Sequence, residues 1–257
     1  MTSAREPEEI YKATREEGRR RLSRPVPELA STALVGGFDV AFGVAAYALA
    51  ANAVDGKAGH LVGSIAFGIG FVFIVVGRSE LFTENFLIPV AGLERGNPGS
   101  WLKLGELWLF ALVLNIVGGV LLTIILTSEG VLRTSADRPL VDLAEHIAGY
   151  STLTSFLSAI VAGALMTLMT WFVEGAAQSM GVRIVMAWIT GALIVLGTFN
   201  HAIVSTIELV FGMRYGADVD VSQLLANLGL AVGGNLVGGL LFVTFVRTVQ
   251  AAEGARA

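Results

Sequence analysis

Six long apolar segments follow one another along the chain, separated by short polar stretches. Each has enough residues to cross the roughly 30 Å hydrocarbon core of a bilayer as a helix that rises about 1.5 Å per residue. The pattern therefore predicts an all-α integral membrane protein with six transmembrane helices. Their approximate limits are 29–53, 61–91, 102–127, 150–173, 183–212 and 222–247.

The second and fifth segments are too long and too interrupted to be single straight helices. The stretch "VVGRSELFTENFLIPV" (75–90) places three charges among apolar residues, and "GTFNHAIVSTIEL" (197–209) contains a histidine. Gly77 and Gly197 are placed to end the first half of each helix. Lipid offers no partner to free backbone amides, so a break at membrane depth is expected only where the backbone is buried in protein or lines a water-filled cavity. Both breaks therefore predict a pore or a pocket.

The two halves of the chain repeat each other at a separation of 120 residues. The matched features are "NIVGGVLL" at 115 and "NLVGGLLF" at 235, Gly77 and Gly197, Gly43 and Gly163, and "STAL" at 31 and "STLT" at 151. Each half, about 29–127 and 150–247, contains three predicted spans. Because three is odd, equivalent halves must cross the membrane in opposite directions. This predicts an inverted repeat with a permeation site near the midplane.

The composition agrees with a membrane protein. Hydrophobic residues make up 54% of the 257 residues and charged residues 15%, and the mean hydropathy is +0.71, which is well above the range of ordinary soluble domains. The chain has no cysteine, so disulfides and thiolate metal sites are excluded. The net charge of −4 argues against nucleic-acid binding.

Most charged residues lie in the tails and loops. Residues 1–28 form a densely charged N-terminal tail that we predict to be helical, and 249–257 form a C-terminal tail. The segment 128–149 contains a short amphipathic stretch, "ADRPLVDLAEHIAG". Basic residues are concentrated on the side of the two termini, so the positive-inside rule predicts both termini in the cytoplasm. We expect a multi-pass protein of a bacterial-type inner (plasma) membrane.

Several ionisable side chains are predicted within the apolar segments. Such residues are rare at membrane depth and usually pair with one another or line a path. We expect Arg78 to pair with Asp39, Glu84 or Glu208, either as a structural ion pair or as part of a pore lining. We expect Glu80 to hold the broken loop by accepting backbone or hydroxyl hydrogen bonds.

The stretch "SELFTEN" in a broken second span, Phe199-x-His201 in a broken fifth span and Asn-x-x-Gly-Gly in spans three and six resemble the formate/nitrite transporter family, and in particular its YfdC-like branch. The resemblance covers roughly residues 28–248. It implies an aquaporin-like protomer of six helices, assembled in the lipid bilayer as a homopentamer with one pore per protomer and no cofactor. It also implies a cytoplasmic constriction at Leu81 and Phe82, a periplasmic constriction at Phe199, and Thr83 facing a central His201.

These residues predict a channel or transporter for small monovalent solutes, with formate-like weak-acid anions as the first candidate. Burying an unpaired anion is costly, and its neutral acid crosses apolar constrictions more easily. An imidazole between two such constrictions can donate a hydrogen bond or a proton. We do not expect an enzyme, because no paired carboxylates, nucleophile–base pair or metal-ligand cluster occurs at a usable spacing.

Two departures from the family pattern keep other functions open. Ser205 and Thr206 stand where the family commonly has Asn and Met, and the lysines of the chain are Lys12, Lys57 and Lys103, none of them in the interior of a span, since Lys103 is at the very start of the third. A pore with few lysines and several acids favours a cation or neutral solute such as ammonium/ammonia. A further alternative is a non-conducting membrane scaffold or sensor, whose pore is closed by a network around Arg78.

Overall fold

The computed structural model describes residues 5–54, 57–94, 96–132, 136–176 and 178–254, so residues 1–4 and 255–257 of the predicted tails lie outside the described residues. The described residues form helices joined by turns, without a strand among them. The α-helices are α1 (Pro7–Leu22), α2 (Val26–Ala51), α3 (Lys57–Gly77), α4 (Ile88–Ala91), α5 (Pro98–Leu126), α6 (Asp137–Ala148), α7 (Thr152–Gly175), α8 (Met180–Leu196), α9 (Ala202–Arg214), α10 (Val221–Val237) and α11 (Val246–Gly254). A 3-10 helix (Phe82–Phe86) precedes α4, and a π-helix (Gly238–Phe245) joins α10 to α11.

The predicted apolar segments are helical, and the predicted breaks in the second and fifth are present. Within the described residues, five helices are long and apolar enough to cross a membrane: α2, most of α3, α5, α7 and the continuous helix Val221–Ala252. The second segment stops being α-helical after Gly77, and the fifth divides into α8 and α9. The amphipathic stretch of the long loop forms α6, whose apolar face is buried against α9.

Large apolar side chains cover much of the outside of the helix bundle. Leu102, Leu109, Leu241 and Phe242 are each at least 60% exposed. A soluble monomer rarely exposes apolar residues over so wide an area, whereas a surface that faces lipid or partner subunits does. The outside of the molecule therefore agrees with the membrane environment that the composition predicts.

The charged N-terminal segment forms a helix, as predicted, but it packs against the bundle rather than standing apart as a tail. One face of α1 is buried through Ile10, Thr14 and Gly18, which recur every four residues. A Cβ atom on Gly18 would overlap the carbonyl oxygen of Ile88 in α4. The high density of charge on the other faces of α1 hides this narrow contact face in the sequence.

Glycines bring helices into backbone contact where α2 crosses α5. A Cβ atom on Gly37 would overlap the carbonyl oxygen of Asn115, and one on Gly118 would overlap that of Leu34. Small residues of this kind allow helices in a membrane to pack closely by van der Waals contact. The crossing therefore holds α2 directly against the part of α5 that contacts the first helix break.

The same crossing recurs in the second half between α7 and the last long helix. A Cβ atom on Gly163 would overlap the carbonyl oxygen of Asn235, and one on Gly238 would overlap that of Ile160. By these contacts Gly163 is the counterpart of Gly37, 126 residues earlier, while Asn235 and Asn115 stay 120 residues apart. The second half is thus six residues shorter between its first and third long helices.

The match of Gly43 with Gly163, and with it the match of "STAL" and "STLT", is therefore wrong. A Cβ atom on Gly43 would approach the carbonyl oxygen of Phe67 in α3 at 3.0 Å, so Gly43 serves a different helix contact. Both matches assumed a single separation for the whole repeat. The separation of 120 residues holds from the helix breaks onward. The first long helices of the two halves correspond at a separation of 126 residues instead.

We predict that Gly37→Ala destabilises the protein, whereas Gly105→Ala does not. Alanine at 37 forces α2 and α5 apart, and overpacking of this kind costs about 1–3 kcal/mol. Gly105 is an exposed position of α5 where an added Cβ atom would meet no other atom within 4 Å, so its substitution should stay within about 1 kcal/mol of the wild type. Thermal unfolding in detergent compares the two variants, and equal melting temperatures would contradict the close crossing.

Candidate pore site at the two helix breaks

One asparagine satisfies the backbone of the first break. The amide oxygen of Asn115 accepts a hydrogen bond from the N–H of Phe82 (2.8 Å), and its nitrogen donates to the carbonyl oxygens of Glu80 (2.8 Å) and Ala33 (2.7 Å). Arg78 begins the break with a left-handed backbone (φ 56°). The side chain of Asn115, which is fully buried, thus supplies the donors and acceptor that the missing helical turn lacks.

A second asparagine does the same at the second break. The amide oxygen of Asn235 accepts from the N–H of Ala202 (2.8 Å), and its nitrogen donates to the carbonyl oxygens of Asn200 (3.0 Å) and Ala159 (2.8 Å). Thr198 provides the left-handed residue here (φ 47°). The Asn-x-x-Gly-Gly motif therefore combines an asparagine that binds the break with glycines that let the neighbouring helix come close.

The two breaks bring Thr83 and His201 together in the interior. Their side chains are fully buried, and Nε2 of His201 lies 2.7 Å from Oγ1 of Thr83. His201 is also the N-cap of α9, because its Nδ1 accepts a hydrogen bond from the N–H of Val204 (3.1 Å). The backbone N–H of His201 in turn donates to Oγ of Ser205 (3.1 Å). The predicted pairing of Thr83 with His201 is thus a direct hydrogen bond.

These contacts define the protonation state of the imidazole. Because Nδ1 accepts from a backbone N–H, it carries no proton, and the neutral ring holds its proton on Nε2. Nε2 therefore donates to Thr83, whose hydroxyl proton stays available for another acceptor. A second proton on Nδ1 would turn the acceptor of the cap into a donor and break the bond to Val204. The geometry thus favours a neutral histidine that donates from Nε2.

Apolar side chains surround this polar pair. Leu81 and Phe82 are buried next to Thr83 in the chain, and the rings of Phe71 and His201 have their centres 6.3 Å apart. Phe199 lies two residues before His201 and is partly buried, with its ring against Gly197. The residues predicted to form the constrictions thus lie on the chain segments that flank the Thr83–His201 pair.

A buried polar cluster that was not assigned from the sequence also holds the second break. The nitrogen of Asn200 donates to Oγ of Ser155 (2.7 Å) and to the amide oxygen of Asn227 (2.9 Å), and Asn227 donates back to Asn200 (3.1 Å). The N–H of Asn200 bonds Ser158 (3.0 Å). The signal available in the sequence was Asn227, an amide of the apolar sixth segment that lies outside the Asn-x-x-Gly-Gly motif.

Glu80 holds the first break through arginines rather than through the backbone and hydroxyl bonds that we expected. Its carboxylate, 1% exposed, pairs with the guanidinium of Arg24 and lies 3.7 Å from that of Arg21. Arg21 also donates to the side-chain oxygen of Asn85 (3.0 Å). Because the charge pattern placed both arginines in a separate tail, the binding of this loop by the end of α1 was missed.

The expected ion pair of Arg78 is absent from the described part of the chain. Arg78 is exposed, and Asp39 instead accepts a hydrogen bond from Ser79. Glu84 and Glu208 are 7% and 4% exposed, and neither forms an ion pair among the described residues. The prediction failed because it took Arg78 to be buried at membrane depth, whereas the residue is exposed where α3 ends.

A cavity of about 220 Å³ lies where α1 meets the first break, and we call it the arginine-lined cavity. Burial alone would raise the pKa of Glu17 at its wall, but hydrogen bonds and charges from Arg20 and Arg21 bring that pKa below its ordinary value. Burial lowers the pKa of Arg24 against the opposing charge of Glu80. The charged residues of the lining are Glu17, Arg20, Arg21, Arg24, Arg78, Glu80, Glu84, Glu174 and Arg183.

A second cavity, of about 690 Å³, lies near the second break, and we call it the tyrosine-lined cavity. Tyr47 and His60 are joined by a hydrogen bond (3.0 Å) at its wall. Tyr150 donates to the carbonyl oxygen of Thr198 (3.0 Å) beside it. Among the residues that the structure describes, no group of three histidines, aspartates or glutamates is placed to hold a metal ion.

The fold and the site define a multi-pass α-helical membrane protein, in which two broken helices meet at a buried threonine–histidine pair. The chain belongs to the formate/nitrite transporter family: the family model described as "Formate/nitrite transporter" matches residues 8–249. It is 23% identical over 245 residues to the inner membrane protein YfdC of Escherichia coli (strain K12), covering 94% of this chain and 77% of that protein. It is 25% identical over 253 residues to the uncharacterized transporter YrhG of Bacillus subtilis (strain 168), covering 94% and 92%.

Solved structures agree in fold. An FNT family ion channel superposes with a TM-score of 0.79 at 17% identity, covering 94% of this chain and 98% of that one. A pentameric formate channel with formate bound superposes with a TM-score of 0.70 at 19% identity, covering 95% and 98%. The predicted fold class, the aquaporin-like architecture of these channels, is confirmed.

We predict that Glu80→Gln destabilises the protein much more than Glu28→Gln. Both glutamates contact Arg24, but Glu80 is 1% exposed and Glu28 is 49% exposed. Removing one partner of a buried pair leaves an uncompensated charge and costs about 3–5 kcal/mol, whereas an exposed pair contributes about 0–1 kcal/mol. Thermal unfolding measures the difference, and hydrogen exchange of residues 7–22 reports whether α1 loosens. Equal effects of the two substitutions would show that Glu80 does not hold α1.

Proposed function

We propose that this protein is a channel or transporter for small monovalent weak-acid anions of the formate type, with the pore running through the Thr83–His201 pair. The observation that carries the proposal is the hydrogen bond from Nε2 of His201 to Oγ1 of Thr83, at the meeting point of the two helix breaks. Membership of the formate/nitrite transporter family and the fold shared with a pentameric formate channel support it.

The chemistry follows from a polar centre between apolar walls. Leu81 and Phe82 form the constriction on one side and Phe199 the constriction on the other. An anion that enters loses hydration, and burying a charge without a partner costs many kcal/mol. Thr83 and His201 offset part of that cost, because the hydroxyl hydrogen of Thr83 is available and the Nε2 hydrogen of His201 can be shared between Thr83 and the anion. Hydrogen bonds to a charged group contribute about 1.5–3 kcal/mol each.

In this mechanism His201 donates a hydrogen bond rather than a proton. The neutral ring has one proton, on Nε2, and its other nitrogen caps α9 through the N–H of Val204. A cationic ring would have to give up that cap, and a neutral ring that lost its proton would become an anion in an apolar interior. A proton that accompanies the anion therefore comes from another group or from water.

The arginine-lined cavity supplies the positive charge that the few lysines do not. Arg21 and Arg24 are occupied by Glu80, but Arg78 forms no ion pair within the described residues and Nε of Arg183 is buried without a hydrogen-bond partner there. Fixed positive charge in a cleft raises the local concentration of anions. We assign this cavity to the cytoplasmic end of the pore, in line with the positive-inside rule.

We also propose that the protein is a homopentamer in a bacterial-type inner membrane, with both termini in the cytoplasm and one pore in each protomer. The similarity to a pentameric formate channel over 95% of this chain and to an inner membrane protein supports this arrangement. The exposed apolar side chains of α5, such as Leu102 and Leu109, provide surface for lipid and for neighbouring protomers.

A pore for ammonium/ammonia is the second candidate, and one observation favours it. Glu208 is 4% exposed and has no charged partner among the described residues, and an ionised carboxylate in a pore attracts cations and repels anions. The scaffold alternative has less support, because the network around Arg78 that would close the pore is not formed by the residues that the structure describes.

Flux into proteoliposomes tests the proposal. We expect the wild type to carry formate and not ammonium. His201→Ala and Thr83→Val should each lower formate flux about 10- to 100-fold, since each removes a hydrogen bond to the anion worth about 1.5–3 kcal/mol. Thr83→Ser, which keeps the hydroxyl, should retain most of the flux.

Liposomes without protein give the passive leak of formic acid, which is subtracted. A protein that carries ammonium but no formate would overturn the proposal in favour of the cation pore. Formate flux that is equally high in Thr83→Val and Thr83→Ser would show that the pore does not run past the hydroxyl.

A further inference from the structure

Glu208 is a buried carboxyl group that the mechanism above does not use. It lies in α9, is 4% exposed, and forms neither a hydrogen bond nor an ion pair within the described residues. Some side-chain nitrogen and oxygen atoms of the described chain are fully enclosed and have no hydrogen-bond partner: Nε of Arg24, Nε of Arg183 and one oxygen of Glu80. The oxygens of Glu208 are not among them. The carboxyl group is therefore deep in the protein but still borders open space.

Its position on α9 places it in line with the polar centre. Glu208 follows His201 by seven residues, which is almost two full turns of helix, so the two side chains project from nearly the same face. Seven residues rise about 10 Å along the axis. The backbone of Glu208 thus lies about 10 Å beyond that of His201 along α9. α9 packs against α6, which lines the tyrosine-lined cavity, although Glu208 is not itself among the lining residues.

The groups around Glu208 leave its charge uncompensated. Tyr47 of α2 and Tyr150 before α7 lie near Glu208, and neither is a cation. Asp39, also in α2, is an acid that accepts a hydrogen bond from Ser79. From α6, the titratable residues at the tyrosine-lined cavity are Arg138, Asp142 and His146, and within the described residues neither Arg138 nor His146 pairs with Glu208.

The other two helices that pack against α9, namely α5 and α10, place no charged residue beside Glu208. α10 has no titratable residue in its sequence. The titratable residues of α5, Lys103 and Glu106, lie in its first turns, whereas α5 meets α9 at Gly119, where a Cβ atom would overlap Ile207.

Such a group has two states with opposite effects on an anion. When ionised, it repels an anion at His201, and at about 10 Å with an effective dielectric constant of about 20 this repulsion lowers occupancy on the order of tenfold. When protonated, it is neutral and can donate a hydrogen bond. Ionisable residues at membrane depth that lack a structural partner commonly act in ion or proton pathways.

We propose that Glu208 is a protonation-controlled anion filter in the half of the pore that opens to the tyrosine-lined cavity. In its ionised state it excludes small carboxylate anions, and in its protonated state it admits them to His201. This inference rests on the proposed function, since it takes formate-like anions as the solute. It explains how an acidic residue can stand in a pore that carries anions.

The experiment compares formate flux at about pH 8, where a carboxyl group is ionised, with flux at about pH 4, where an ordinary carboxyl group is largely protonated, for the wild type and three variants. Wild-type flux should rise on the order of tenfold as the pH falls. Glu208→Gln, which stays uncharged, should already have the high flux at the upper pH. Its flux should therefore not show the increase toward low pH that protonation of Glu208 causes in the wild type. Glu208→Asp, which keeps a titratable group, should retain the rise.

Asp142→Asn is the matched control, because it removes an exposed carboxylate at the tyrosine-lined cavity and should keep the wild-type profile. The protonation of formate itself also makes the flux depend on pH. This dependence is common to all variants and cancels in the ratio of the flux of a variant to that of the wild type. A Glu208→Gln protein that is folded and monodisperse but has the wild-type pH profile, or low flux at both pH values, would overturn the filter. A wild type that carries no formate at either pH would instead overturn the proposed function, and the filter with it.

Discussion

The structure depends on satisfying backbone that leaves the helix at membrane depth. Each amide or carbonyl group without a partner there costs several kcal/mol, so two broken helices are tolerable only if the protein itself supplies the missing bonds. Asn115 and Asn235 do this with the same three-bond pattern, one acceptor for the N–H after the break and two donors for nearby carbonyl oxygens. Because both asparagines are buried and held by several bonds, the residues next to the breaks, Thr83 and His201, are brought to fixed positions.

His201 connects this framework to the chemistry. Its Nδ1 caps α9 and its Nε2 reaches Thr83, so one ring serves both the fold and the polar centre. Because Nδ1 accepts the hydrogen bond that caps α9, the proton of the neutral ring is on Nε2. The polar centre therefore donates a hydrogen bond from Nε2. The same arrangement makes a positively charged imidazole unfavourable, and the protonation-dependent step that we propose therefore lies at a different residue, Glu208.

Local patterns in the sequence predicted the parts of the fold that depend on local interactions. Apolar length predicted the helical segments, Gly77 and Gly197 marked the breaks, and the repeated Asn-x-x-Gly-Gly motif marked the two halves, although its asparagines were not predicted to hold the breaks. Contacts between distant parts of the chain were missed. Arg21 and Arg24 were assigned to a tail because charge density hides the contact face of α1, so the partners of Glu80 were wrong. The pairing expected for Arg78 was wrong because this residue is exposed and lines the arginine-lined cavity, which no apolar pattern reveals. Asn200, Asn227 and Ser155 form their cluster only once α7, α9 and α10 are packed.

The whole mechanism requires His201 to be a neutral donor, with its proton on Nε2 and Nδ1 held in the cap of α9. Nitrogen-15 NMR of the protein labelled at histidine observes this state, with the His201 signals assigned by their loss in His201→Ala. We predict one protonated ring nitrogen, Nε2, and an unprotonated Nδ1 between about pH 6 and pH 8, the range in which an unperturbed histidine would change its charge. A ring protonated on both nitrogens in that range, or a neutral ring with its proton on Nδ1, would contradict the mechanism.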